Sequence, residues 1–85
     1  MKLTLDGRQI EDRDDFYRVI KEQIALPDWF GNNLDALHDI LSEAGEAPAV
    51  HVYGLANLRQ ALGDHYLMKL FLMMVDCGGE ILILS

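Results

Sequence analysis

Three carboxylates, Asp35, Asp39 and Glu43, recur every four residues within L-D-A-L-H-D-I-L-S-E, residues 34–43. On a helix this spacing stacks them along one face as a ladder of like charge, and each neighbouring pair costs about 0.2–0.5 kcal/mol. No Lys or Arg in the segment offsets them. The positive end of a helix dipole favours Asp35 but not Asp39 in mid-helix. Aspartate is also a weak mid-helix residue, because its side chain competes for backbone hydrogen bonds. Two readings fit. One is an ordinary solvated face. The other is a surface that presents preorganised anions to a basic partner. The loop just upstream bears on the choice, because it carries Trp29, Phe30, Gly31 and the pair Asn32-Asn33. Trp29 and Phe30 are adjacent and are not expected both to point inward. Phe30 is expected in the core and Trp29 at the surface, where an aromatic beside carboxylates has the makeup of an interface hot spot. The plainer reading of Trp29 is that it closes the edge of the core.

Other chemistry finds less support. Asp35, His38 and Asp39 could in principle bind a divalent metal or act as acid and base. They lie on one convex helix face, however, and catalysis needs a concave site with converging groups. His51 and His65 show no ligand spacing, and no glycine loop for phosphate or nucleophile–base pairing is visible. No catalytic residue, cofactor site or metal site is expected. Cys77 is alone, which fits a reducing compartment and reads as a small buried apolar side chain.

The net charge is −7, from 14 acids against 7 Lys and Arg. Nucleic-acid binding needs a basic footprint, so this balance argues against it. A basic protein partner suits it. The charge is also concentrated. Between Lys21 and Arg59 there is no Lys or Arg, and Glu22, Asp28, Asp35, Asp39, Glu43 and Glu46 fall in that interval. The apolar fraction of 51% supports a folded chain. Its 85 residues are expected to form one domain, residues 1–85, with a modest core. No apolar run approaches the roughly 20 residues of a membrane span. No export leader is evident, which points to a cytoplasmic protein.

The elements that must position these residues follow from periodicity. Lys2–Leu5 alternates as a strand, and Asp6-Gly7 is a turn signal, but Arg8–Ile10 is too short to count as the second strand of a hairpin. Asp12 can cap a helix with Asp15 in the capping-box position, and Phe16, Val19, Ile20 and Ile24 form its apolar stripe. Pro27 ends that helix near Leu26. Asn32 or Asn33 caps the acidic helix, which runs to Glu43 or Ala44 before Gly45. At about 100° per residue, Leu34, Leu37, Ile40, Leu41 and Ala44 take one side of it. Asp35, His38, Asp39, Ser42 and Glu43 take the other. A strand at Ala49–Tyr53, a helix at Leu55–Leu62 and a helix from His65 to about Asp76, capped by Asp64, come next. That last helix is apolar almost all round, with a polar stripe of His65, Lys69 and Asp76. Met68, Met73 and Met74 serve it either as core filler or as a patch for weak self-association. The final strand, Ile81–Leu84, does not alternate and is expected to be buried on both faces, at or near the sheet centre. The order β-α-α-β-α-α-β predicts an α/β domain with a three-stranded, mostly parallel sheet, about four helices and right-handed crossovers.

The residues around the acidic helix carry a resemblance. Ala25-Leu26-Pro27, the aromatic pair Trp29-Phe30, Gly31, Asn33-Leu34-Asp35-Ala36-Leu37 and Asp39 resemble the barstar family, small intracellular inhibitors of secreted ribonucleases of the barnase type. Gly7, Gln9, Ile10, Lys21 and the closing Ile83-Leu84-Ser85 extend the likeness over nearly the whole chain. The resemblance implies three parallel strands packed with helices. It also implies an immunity protein that plugs the active site of a basic, extracellular-type ribonuclease, one to one, with the second helix and the loop before it. In that role Asp39 would occupy the enzyme's phosphate pocket, Asp35 would pair with a second basic group, and Trp29 would stack on active-site side chains. The backbone around Gly31 and Asn33 would touch the enzyme. Phe30, His38, Glu43 and Asp76 complete the expected contact set. His38 departs from the family, where a bulky aromatic is common. Leu72 and Met73 stand near the place of a further acidic contact, with Asp76 and Glu80 as substitutes. A second reading is a barstar-like module for a different basic toxin or a regulatory protein, since an acidic helix specifies only a basic concavity.

Overall fold

Leu3 and Leu5 alternate with Lys2, Thr4 and Asp6, and the chain there forms strand β1 (Lys2–Asp6) in a computed structural model that describes residues 1–85. Helix α1 (Arg13–Gln23), helix α2 (Leu34–Glu43), strand β2 (Ala49–Tyr53), helix α3 (Leu55–Leu62), helix α4 (Asp64–Asp76) and strand β3 (Glu80–Ile83) follow. The sheet is parallel throughout, in the order β1-β2-β3. The predicted α/β order and strand number therefore hold.

Register explains where the core sits. Leu3, Val50 and Ile81 stand side by side on one face, as do Leu5, Val52 and Ile83. Leu3, Leu5, Val50 and Val52 are fully buried there against Phe16, Tyr17, Ile20, Leu37, Leu41, Leu58, Leu70 and Met74. The opposite face, with Thr4, His51 and Leu82 in register, has no buried side chain. Two right-handed crossovers running the same way across a sheet put all their helices on one side, which accounts for this asymmetry.

Arg8–Ile10 forms no hairpin strand, in keeping with its shortness, while several other local expectations need correction. Gly7–Gln9 is a 3-10 turn, begun by the Asp6 carboxylate, which accepts the Arg8 N–H at 3.0 Å. Gly7 is needed because a Cβ there would sit 2.2 Å from the Gly54 carbonyl oxygen and 2.6 Å from the Leu58 nitrogen. β3 is an edge strand, not a central one. Leu82, Ile83 and Leu84 remain 52%, 47% and 45% exposed. A run without alternation fixes neither place nor burial once only one face of the sheet is covered. Asp64 does not cap α4. It is the first helical residue, Gly63 holds the cap position, and the Asp64 carboxylate accepts from Arg59 Nε at 2.9 Å. That bond holds the Asp64 carboxyl below its ordinary range. Ala44 ends α2 exposed. The methionines divide: Met74 is core, Met73 is half-buried and Met68 is exposed.

The predicted capping of α1 is present. Asp12 Oδ1 accepts the Asp15 N–H at 2.8 Å, and Asp15 Oδ2 accepts the Glu11 N–H at 3.1 Å. At the far end of α1 the Gln23 amide bonds both Thr4 backbone groups, at 2.7 and 2.8 Å, and so blocks the free edge of β1. No helix is long and apolar enough to cross a membrane.

Candidate functional site

The loop and α2 are placed by three local devices. The Phe30 N–H bonds the Pro27 carbonyl at 3.0 Å, which closes a turn and leaves Trp29 at its tip. Trp29 is 69% exposed, whereas Phe30 is only 9% exposed and packs its ring against Tyr17 at 5.7 Å between centroids. Phe30 thus anchors the loop from below. Asn32 then takes a left-handed conformation, φ 51°, which asparagine tolerates better than most residues. That bend delivers Asn33 to the cap of α2, where its Oδ1 accepts the Ala36 N–H at 2.8 Å and its Nδ2 donates to the Gly31 carbonyl at 3.4 Å. Gly31, Asn32 and Asn33 are all exposed.

Leu37 and Leu41 bury the inner side of α2, with Leu34 and Ile40 half-buried beside them. The outer side presents Asp35, Asp39 and Glu43, all exposed. None of the three has an ion-pair partner. Mutual repulsion on that face is therefore not relieved within the molecule.

His38 is bound rather than free. Its Nε2 lies 3.0 Å from Asp76 Oδ2, which ties the middle of α2 to the end of α4. Asp35, His38 and Asp76 line one recess of about 630 Å³ between the two helices. The structure thus brings together Asp35, His38 and Asp76. Asp39 and Glu43 stand on the open helix face outside that recess. No three His, Cys, Asp or Glu side chains converge in a metal-binding arrangement.

Two cations nearby were not legible as site residues. Lys69 lines the recess with Asp35 and Asp76, and it also lines a neighbouring recess of about 360 Å³ with Asp35, Arg13 and His65. The acidic block is one-signed along the sequence but not in space. For Arg13 a signal existed: it is the first residue of α1, where the positive end of the helix dipole disfavours a cation. For Lys69 the only signal was its place on the polar stripe of α4.

Comparison with known proteins settles the family. The model of the family described as Barstar (barnase inhibitor) matches residues 1–78. The chain belongs to the barstar family. It is also similar to the "Putative ribonuclease inhibitor YrdF" of Bacillus subtilis (strain 168), 39% identical over 41 residues. That match spans 48% of this chain and 45% of the relative. The family's description is that of an inhibitor, not of an enzyme.

Proposed function

We propose that this chain is an intracellular inhibitor of a basic, barnase-like ribonuclease. It blocks the active site one to one with α2 and the loop before it. The observation that carries the reading is the set of exposed, unpaired carboxylates on α2, Asp35, Asp39 and Glu43, mounted beside an exposed Trp29. A ribonuclease must hold phosphates with cations. Carboxylates at one-turn spacing imitate that charge, with Asp39 as the central anion and Asp35 on a second basic group. Trp29 adds apolar contact area over the active-site side chains.

Preorganisation supports the same reading. The acids stand on a capped helix pinned to the core by Leu37 and Leu41, so little ordering entropy is lost on docking. The field of a chain carrying −7 also speeds encounter with a basic enzyme, and the association rate falls as salt rises.

The test is stoichiometric inhibition of a panel of secreted basic ribonucleases, barnase among them. Wild type should inhibit at least one at one-to-one ratio, Asp39→Ala should weaken this most, and Asp35→Ala or Trp29→Ala should follow. Failure to inhibit any of them, with no interaction changed by Asp39→Ala, would leave the second reading, a module for another basic toxin or regulatory protein.

A further inference from the structure

We infer that Arg13 and Lys69, with His65 lining the recess between their helices, form a cationic shoulder beside Asp35 that receives a carboxylate side chain from the rim of the partner enzyme, with Lys69 as the selectivity-determining residue. The inference rests on the inhibitor reading above and adds to it a second, opposite pole.

The shoulder joins two helices. Arg13 comes from α1 and His65 and Lys69 from α4, and together they line the recess of about 360 Å³ whose far wall is Asn33 and Asp35. Lys69 alone of the three also lines the larger recess toward His38 and Asp76.

Arg13 and Lys69 carry no ion pair inside the molecule. Arg8, Arg18 and Arg59 are each in ion pairs with neighbouring acids. Arg13 and Lys69 are in none, although acids outnumber Lys and Arg by 14 to 7. Asp35 shares both recesses with Lys69 and still does not pair with it. Lys2 and Lys21 are also unpaired, but they lie outside both recesses.

Arg13 is held ready. Its guanidinium lies 4.1 Å from the centroid of the Tyr66 ring, and one Nη donates to the Leu62 carbonyl at 3.5 Å. The Tyr66 hydroxyl is hydrogen-bonded to that of buried Tyr17, which fixes the ring beneath it. A guanidinium stacked in this way keeps donors free for a planar carboxylate. Its position in the first turn of α1 works against the helix dipole, so helix stability alone does not explain an arginine there.

Charge complementarity identifies the occupant. The ladder on α2 fits cations, and the shoulder fits an anion at one side of them. A ribonuclease with an acidic residue on the rim of its cationic cleft satisfies both poles and can dock in one orientation only. A rim that is basic at that place is rejected by like charge, which gives selectivity among related enzymes.

The experiment compares wild type, Asp39→Ala, Lys69→Met and Lys69→Glu against the same ribonuclease panel. For the enzyme wild type inhibits best, acidic rim residues are then neutralised one at a time. Lys69→Glu should raise the inhibition constant by about tenfold or more, because like-charge juxtaposition at an interface is costly. Lys69→Met should lose less. Neutralising one rim carboxylate of the enzyme should remove most of the difference between wild type and Lys69→Glu, an outcome that a purely structural role for Lys69 does not produce. If Lys69→Glu destabilises the fold, Lys69→Met and the enzyme-side substitutions decide. Unchanged or tighter inhibition by both Lys69 variants, with Asp39→Ala still impaired, overturns the shoulder and leaves the inhibitor reading intact. No inhibition by wild type overturns both.

Discussion

Neutralising Asp39 should move stability and function in opposite directions. In α2, Asp39 is one turn from Asp35 and one turn from Glu43, and none of the three is in an ion pair. Asp39→Asn keeps the shape and nearly the same helix propensity. It removes two like-charge pairs, for a gain of about 0.4–1 kcal/mol. In a chain of this size that corresponds to a rise in Tm of roughly 2–8 °C. The rise should shrink in about 1 M salt, where screening acts over roughly 3 Å. Against a ribonuclease that wild type inhibits, the same substitution should weaken binding. Loss of one partner of a buried, hydrogen-bonded charge pair costs about 2–5 kcal/mol, a scale drawn partly from this family's own prototype pair. That is a loss of about 30-fold to several thousand-fold in affinity. The assays are thermal unfolding at two salt concentrations and a tight-binding inhibition titration. A fall in Tm at low salt would show that Asp39 makes a stabilising contact and refute the argument from repulsion. Unchanged inhibition would refute its place at the centre of the docking face.

Three further outcomes test the scaffold. Gly7→Ala forces a Cβ to 2.2 Å from the Gly54 carbonyl oxygen; overpacking against backbone should cost about 3 kcal/mol or more, read as a large drop in the urea midpoint. Asn33→Ala removes the cap that accepts the Ala36 N–H and should cost about 1 kcal/mol, whereas Asn33→Asp should stay close to wild type in the same melt. Burial, and then the Tyr66 hydroxyl, push the Tyr17 phenol well above its ordinary value. A group whose folded pKa is raised contributes stability that is complete below the unfolded value and is lost above it. Unfolding free energy should therefore fall with pH above about 10, and more steeply in wild type than in Tyr17→Phe; parallel curves would count against the buried pair.

What the sequence made legible follows from which forces act locally. Caps are short-range, so Asp12 and Asn33 begin α1 and α2 as their residue types predict, whereas α1 ends at Gln23, three residues before the Leu26 stop expected from Pro27. The amphipathic stripe of α2 carries its own period, so Leu37 and Leu41 could be assigned inward and the carboxylates outward. Trp29 and Phe30 divided between surface and core as expected, although the adjacent pair Phe16 and Tyr17 on α1 is buried together. The place of β3 in the sheet was not legible, because strand order depends on which way the second crossover runs, and Ile-Leu-Ile-Leu reads alike at the centre or the edge. Tyr17 was missed as a core residue. Its burial rests on a hydroxyl bond to Tyr66, 49 residues away, and no local pattern signals such a bond. Lys69 was missed because its relevance comes from the placing of α4 beside Asp35, whereas Arg13 carried a local signal, a cation in the first turn of α1, that did not reveal its neighbours.

The cost of the acidic face and the precision of that face have a common origin. A ten-residue helix with three stacked acids and no internal cation would not hold alone, since isolated helices of that length are marginal even with good sequences. It persists because Leu37 and Leu41 are fully packed, Asn33 satisfies the first turn, and His38 bonds to Asp76 on α4. The first two fix the axis of α2 against the sheet, and the third joins its outer side to the end of α4. The recess that His38 and Asp76 line also holds Asp35 and Lys69. On the inhibitor reading, a substitution at His38 or Asp76 is therefore expected to act on more than its own contact: it alters the recess that holds Asp35 and Lys69, and with it the fit to the charges proposed for the enzyme.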